Sequence, residues 1–127
     1  MILTRIFKFD AAHNLVEYHG KCERLHGHTY KLVVKLEGKP GKEDMIMDFS
    51  ELKRIVESTI LQQLDHSYLN DFIKQPSAEN ISRWIWDRLY NELSRENCRL
   101  YEIQVWETEN CGDTYREIGR ASCRERV

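Results

Sequence analysis

Five histidines are spread unevenly along this chain: His13, His19, His26 and His28 fall within sixteen residues, and His66 stands apart. In His26-Gly27-His28 the two imidazoles share one face if the segment is extended, because strand side chains alternate between faces. His13 belongs to a second alternating segment and can sit opposite them across an antiparallel pair. Three neutral imidazoles converging from adjacent strands give Zn²⁺ three protein ligands and leave a fourth position open, which is the arrangement of a catalytic rather than a structural zinc. The spacing leaves this open, since an H-x-H pair also occurs without metal. His19, between Tyr18 and Gly20, reads as a loop residue with no assigned role.

Three other places could carry chemistry. Cys22 lies four residues before His26 in a segment rich in charge and containing Gly20, so it reads as an exposed loop thiol. A dication and Lys21 nearby would favour the thiolate, a usable base or nucleophile. The alternatives are an idle surface thiol, or a fourth ligand closing a structural site of one cysteine and three histidines. Asp65-His66 follows a helical stretch, and an aspartate beside an imidazole can orient it for proton transfer. The same histidine could instead serve the helix dipole as a cation near the C-terminus. Glu107, two residues beyond Val105, ends an apolar strand face. Its carboxylate could accept two parallel hydrogen bonds from a guanidine-like edge such as an amino-pyrimidinone, or be a strand-end surface charge. Glu109 is the more exposed of the two.

The elements that must position these groups follow from periodicity. Residues 2–13 alternate, with Leu3, Arg5, Phe7, Phe9, Ala11 and His13 on one face. Residues 26–37 alternate again, with His26, His28, Tyr30, Leu32, Val34 and Leu36 together, and Gly27 permits a close backbone approach. After a turn at Gly38-Lys39-Pro40-Gly41, Asp48 caps a helix with Glu51 completing a capping box, and Leu52, Ile55, Val56, Thr59, Ile60 and Leu64 form its stripe. Ser77 caps a second helix with the stripe Ile81, Trp84, Ile85, Leu89 and Leu93. Residues 99–107 return to alternation with Tyr101, Ile103 and Val105 inward, and a short strand follows near Tyr115. The order ββααββ predicts an α+β domain, an antiparallel sheet with two helices on one face.

Composition excludes several classes. The 127 residues, 41% hydrophobic and 31% charged, suit one globular domain. No apolar run approaches the roughly 20 residues of a membrane span, and MILTRIFKFD has no signal-peptide pattern. A net charge of −2 gives no basic field, so nucleic acid is not expected as a partner. Cys22, Cys98, Cys111 and Cys123 form no C-x-x-C pair; reduced thiols and a cytoplasmic location are expected. Residues 118–127 differ in character, with three arginines, one glutamate and no periodicity. One back-translation of Ile118-Gly-Arg-Ala-Ser-Cys-Arg-Glu-Arg-Val127 coincides with a widely used sequencing adapter, so the tail reads as adapter read-through and the domain as 1–117.

Taken in order, Phe9-Asp-Ala-Ala-His13, Cys22-Glu-Arg-Leu-His-Gly-His28, Met47-Asp-Phe49, Leu64-Asp-His66 with Leu69-Asn70, Pro76-Ser-Ala-Glu-Asn80 and Val105-Trp-Glu-Thr108 resemble the 6-pyruvoyltetrahydropterin synthase family over residues 2 to about 116. Ser77 stands where many relatives have threonine. The resemblance implies the tunnelling fold, whose ββααββ protomers join sheets into a barrel around a trimer and stack as a homohexamer with sites at subunit boundaries. It also implies Zn²⁺ on His13, His26 and His28, Cys22 as base, His66 oriented by Asp65 as proton carrier, and Glu107 on the pterin edge. The C-x-x-x-H-G-H interval resembles that of the carboxy-forming bacterial members of the queuosine pathway; pyruvoyl-forming members typically have a longer one. The expected reaction converts 7,8-dihydroneopterin triphosphate to 6-carboxy-5,6,7,8-tetrahydropterin, acetaldehyde and triphosphate. The alternatives are pyruvoyl-forming triphosphate elimination, and a non-catalytic zinc-stabilised module with Cys22 as fourth ligand.

Overall fold

The computed structural model describes residues 1–16 and 24–117; His19, Cys22 and the 118–127 segment lie outside them. Strands β1 (Ile2–His13) and β2 (His26–Gly38) are followed by a helical rod. The rod runs through α1 (Phe49–Val56), a π-helical turn (Glu57–Leu61) and α2 (Gln62–Leu64). Then come β3 (Ser67–Tyr68), α3 (Ala78–Leu89), β4 (Cys98–Trp106) and β5 (Gly112–Tyr115). The sheet order is β3-β1-β2-β4-β5. The expected ββααββ frame is present, with one addition: two-residue β3 pairs parallel to β1 at Ala11–Ser67 and Ala12–Tyr68. A strand this short has no readable period, so the sequence pattern passes over it.

Both helical segments pack on the face carrying Phe7, Phe9, Tyr30, Leu32, Val34 and Leu36, and bury Leu52, Ile55, Ile60, Leu64, Ile81, Ile85 and Leu89 against it. Trp86 is also buried, while Trp84 is only half-buried. The Asp48 carboxylate accepts from the Ser50 N–H at 2.7 Å, and the Ser77 hydroxyl accepts from the Asn80 N–H at 3.2 Å. Glu51 does not complete a capping box; its carboxylate points to Arg95 at 3.8 Å.

The inward set on β4 differs from the period-two expectation. The register with β2 shifts between Lys35, opposite Glu102, and Leu36, opposite Leu100, so Tyr101 is the extra residue of a β-bulge. The bulge changes the phase: Cys98 and Leu100 face the core before it, Ile103 and Val105 after it, and Tyr101 is half-buried. It also turns Glu102 into a buried carboxylate on the sheet's other face, held by Lys35 Nζ at 3.0 Å, Arg116 at 2.7 Å and Gln104 at 2.6 Å. Burial alone would raise the pKa of this carboxyl; the hydrogen bonds from Gln104, Lys35 and Arg116 outweigh that and hold it below its ordinary value.

The bulge makes a testable distinction. Leu100→Ala should cost about 2–5 kcal/mol, as buried leucines do, whereas Tyr101→Ala should cost about 1 kcal/mol or less. Denaturant melts of the two variants check the order; the reverse order would restore the unbroken alternation.

Candidate functional site

β1 and β2 pair without a break from Ile2–Glu37 to His13–His26, which sets His13 directly across from His26 and one step from His28. The three imidazoles pack edge to face with centroids 4.6, 5.2 and 4.8 Å apart. One ligand nitrogen from each lies within 4.8 Å of the others. His13 is buried, and His26 and His28 are half-buried.

The hydrogen bonds around the cluster determine its tautomers. His13 Nδ1 lies 2.7 Å from the Pro76 carbonyl oxygen, and His26 Nδ1 lies 2.7 Å from that of Arg24. A carbonyl only accepts, so both Nδ1 atoms carry the proton. With both rings neutral, the two Nε2 atoms, 3.1 Å apart, turn lone pairs toward one another. His28 Nε2 is buried with no hydrogen-bond partner among the described residues. Lone pairs facing each other at this distance repel unless a cation lies between them, and backbone carbonyls on the far nitrogens are the usual outer support of metal-bound imidazoles. Burial pushes the His28 pKa down, and His13 and His26 add to that against the opposing pull of Glu107, so the imidazole stays neutral and available as a ligand. The donor set fits a divalent metal ion.

Two asparagine and glutamine side chains hold the end of β1. Asn70 accepts from Asn14 N–H at 3.1 Å and donates to the Asn14 carbonyl at 2.9 Å; Gln75 brackets Val16 in the same way. Gly27, by contrast, is not required for space, since a Cβ there would meet the Ala11 carbonyl at 3.4 Å, an ordinary contact.

Glu107 lies beside the cluster, its carboxylate 3.7 Å from His28 Nε2 and its side chain 25% exposed. Its backbone N–H donates to the Cys111 carbonyl at 2.9 Å, the first bond of the β4–β5 hairpin. Nearby, Tyr30 is fully buried and its hydroxyl has no hydrogen-bond partner among the described residues. Burial, and then the Glu107 carboxylate, push the Tyr30 pKa far above its usual value, so it remains a phenol. Glu107 and His13 border a cavity of about 280 Å³ whose other walls include Leu15, Ser77, Glu79, Cys111 and Asp113. The metal cluster and this pocket are thus contiguous. Sequence reasoning gave no site role to Glu79 or Asp113; the Pro76-Ser-Ala-Glu-Asn80 run read as a helix start and as one motif of the family resemblance.

Asp65 and His66 come together, but not on a helix. Asp65 leaves the helix in extended conformation, and His66 is left-handed at φ 61, a region that His tolerates better than most side chains. That reversal brings His66 Nδ1 to 3.2 Å from Asp65 Oδ1. The pair is bolted to β1: Asp10 N–H donates to Asp65 Oδ1 at 2.9 Å, and His66 N–H donates to the Asp10 carbonyl at 2.6 Å. The His66 side chain is 78% exposed. A groove lined by Asp10, Ala12, Gly27, His28, Thr29 and His66 separates this pair from the histidine cluster. Cys22 is outside the described residues. Cys98 is buried and Cys111 exposed, both free thiols. No described helix is long and apolar enough to cross a membrane.

The five-stranded sheet under two helical segments matches known proteins over most of the chain. The family model described as 6-pyruvoyl tetrahydropterin synthase matches residues 2–118, and the chain belongs to that family. It is 35% identical over 141 residues to the 6-carboxy-5,6,7,8-tetrahydropterin synthase of Haemophilus influenzae, covering 91% of this chain and 98% of that one. It is also 35% identical over 133 residues to the 6-pyruvoyl tetrahydrobiopterin synthase of Dictyostelium discoideum, covering 91% and 96%. The structure of Caenorhabditis elegans 6-pyruvoyl tetrahydropterin synthase superposes with a TM-score of 0.80 at 27% identity, over 91% of this chain and 94% of that one.

If the three imidazoles hold a metal, added Zn²⁺ should raise the unfolding midpoint of wild type by mass action, about 2.7 kcal/mol at a hundredfold excess over Kd. His28→Ala, left with two ligands, should lose most of that gain. Equal gains in both proteins, measured by thermal melts with and without Zn²⁺, would place the metal elsewhere.

Proposed function

We propose that this chain is a zinc-dependent lyase that converts 7,8-dihydroneopterin triphosphate and one water to 6-carboxy-5,6,7,8-tetrahydropterin, acetaldehyde and triphosphate, a step of queuosine biosynthesis. The observation that carries this reading is the inward-turned Nε2 lone pairs of His13 and His26, contiguous with a pocket walled by Glu107. The kinship to the H. influenzae synthase supports the product. The ion held by His13, His26 and His28 would act as a Lewis acid on oxygens of the substrate side chain. Glu107 binds the donor edge of the pterin ring and fixes its orientation. Cys22 removes a proton from the side-chain carbons; four chain steps tie it to His26, a reach of at most ~14 Å. His66, oriented by Asp65, carries protons between side chain and ring. No external redox partner is needed, because the ring gains the electrons that the side chain loses.

The same site supports a second reading, pyruvoyl-forming triphosphate elimination, favoured by the equal identity to the D. discoideum enzyme. Product mass after incubation with dihydroneopterin triphosphate separates the two. Cys22→Ala should keep its zinc yet turn over roughly 10²–10⁴-fold slower, the usual loss for a general base. If zinc content falls with the thiol instead, and X-ray absorption finds a sulfur ligand in wild type, Cys22 is the fourth ligand of a structural site.

The proposed working form is a homohexamer of domains spanning 1–117, with 118–127 as adapter read-through. The unfilled edge of β1 supports assembly: β3 covers only Ala11 and Ala12, and Ile2 and Ile6 are exposed along the rest. Light scattering on chains with and without residues 118–127 should give six times the protomer mass for the shorter chain. A monomer of the shorter chain would overturn the assembly.

A further inference from the structure

The turn before α3 grips the histidine cluster from outside, and a side chain that the proposed chemistry leaves without a task holds that turn. In Gln75-Pro76-Ser77 the Ser77 N–H donates to the Gln75 carbonyl at 2.9 Å, which closes a three-residue γ-turn centred on Pro76. The proline ring fixes φ at about −65°, close to what the inverse form of this turn requires at its centre. Asn80, in the first turn of α3, donates its side-chain N–H to the same Gln75 carbonyl at 2.8 Å. Both lone pairs of that oxygen are then taken, and the peptide plane ahead of Pro76 is pinned from two sides.

The pinned turn aims the Pro76 carbonyl at buried His13, whose Nδ1 lies 2.7 Å away. The Gln75 side chain ties the turn to β1 a second time, accepting from the Val16 N–H at 2.6 Å and donating to the Val16 carbonyl at 3.0 Å. One bent i→i+2 bond would leave such a turn soft, so the second donor, delivered from a helix, stiffens it. Asn80 is itself held at both ends. Its backbone N–H donates to the Ser77 hydroxyl at 3.2 Å, and its Oδ1 accepts from Arg83 at 3.1 Å, which leaves Nδ2 to face the Gln75 carbonyl.

His26 makes the contrast. Its Nδ1 is held by the Arg24 carbonyl two residues away in the chain, whereas the support of His13 comes from 63 residues further on. The aim of His13 is therefore the one that depends on how α3 begins. We propose that Asn80 is a positioning residue of the metal site: it pins the γ-turn that aims the Pro76 carbonyl at His13, which keeps the proton on Nδ1 and leaves Nε2 turned toward a divalent ion. This rests on the metal reading of His13, His26 and His28, and adds to it a residue that reaches the ion only through His13.

The test is the zinc affinity of the full-length protein, read by competition with a chromophoric chelator, beside its unfolding midpoint without metal. Asn80→Asp keeps the shape and the acceptor for Arg83 but turns a carboxylate oxygen toward the Gln75 carbonyl. Its zinc Kd should rise by about 10- to 100-fold, the usual loss when the outer support of a ligating histidine is disturbed. Co²⁺ in place of zinc should show altered visible absorption in this variant, because those bands follow ligand geometry. Asp48→Ala, which removes the cap of α1 and leaves the turn alone, should lower the midpoint yet keep the wild-type Kd and spectrum. Should Asn80→Asp fail to fold, Asn80→Ala, which removes the donor without adding a charge, decides the matter, with a rise in Kd of about tenfold expected. A folded Asn80 variant with a lower midpoint but wild-type Kd and Co²⁺ spectrum overturns the proposal, and so does an equal loss of affinity in Asp48→Ala. If His28→Ala loses zinc while the Asn80 variants keep it, the metal reading stands and the positioning role falls. Zinc bound no more tightly by wild type than by His28→Ala overturns both.

Discussion

The register of β1 against β2 is the constraint on which the candidate site depends. It runs unbroken from Ile2–Glu37 to His13–His26, and side chains on paired strands repeat every second residue. A slip of one residue would send His26 and His28 to the opposite face and leave His13 alone. What prevents the slip is apolar burial immediately behind the histidines. Phe9 stacks on Tyr30, its cross-strand partner, at 4.9 Å, and Phe7 faces Leu32 in the next row. A one-residue slip would expose these rings, so the core itself positions the imidazoles. Pro76 and Arg24 then supply carbonyls that fix which nitrogen of His13 and His26 turns inward.

This division explains what was legible in the sequence. The frame and the convergence of His13, His26 and His28 were, because hydrophobic periods of 2 and 3.6 report burial directly and the three histidines ride on such a period. The failures occur where local backbone geometry departs from a repeat. At Tyr101 one extra residue reverses the alternation, and no composition signal marks it. At His66 a left-handed residue turns sequence neighbours, which on a helix would face apart, into a hydrogen-bonding distance of 3.2 Å. β3 is two residues long and is held by backbone bonds to β1, which leave no trace in side-chain pattern. Asp113 was invisible for a related reason. A charged residue near a strand end reads as surface, and only the hairpin register shows it facing inward.

Electrostatics divide the site into two unlike ends. At one end, imidazole nitrogens present lone pairs; at the other, Glu107 and Glu79 present carboxylates, with the Tyr30 phenol nearby. Both ends present acceptors, each of which is costly to bury without a donor or cation. A ligand set with a cation at one end and N–H donors at the other relieves both. Glu107 is the joint between them. Were His28 protonated, the two would pair across their 3.7 Å gap and the carboxylate would be occupied. Burial and the flanking imidazoles keep His28 neutral, which leaves Glu107 free to accept from a ring.

The Asp65–His66 pair is built to a different standard. Two hydrogen bonds tie it to Asp10, one into the Asp65 carboxylate and one from the His66 backbone N–H, yet the His66 side chain is 78% exposed whereas His13 is 1% exposed. For His66 to act as the proposed proton carrier, transfer to substrate must be shielded from exchange with bulk water, which needs a cover. That cover has an obvious place in the fold. The pair sits where β3 ends its short contact with β1, and beyond it the β1 edge lacks a partner strand among the described residues. Open edges of this kind are templates for another strand. A second copy seated on β1 would satisfy the edge and shield His66 in one step. The exposure of the dyad within a single chain is therefore an argument for assembly, and for a site completed at a boundary between copies.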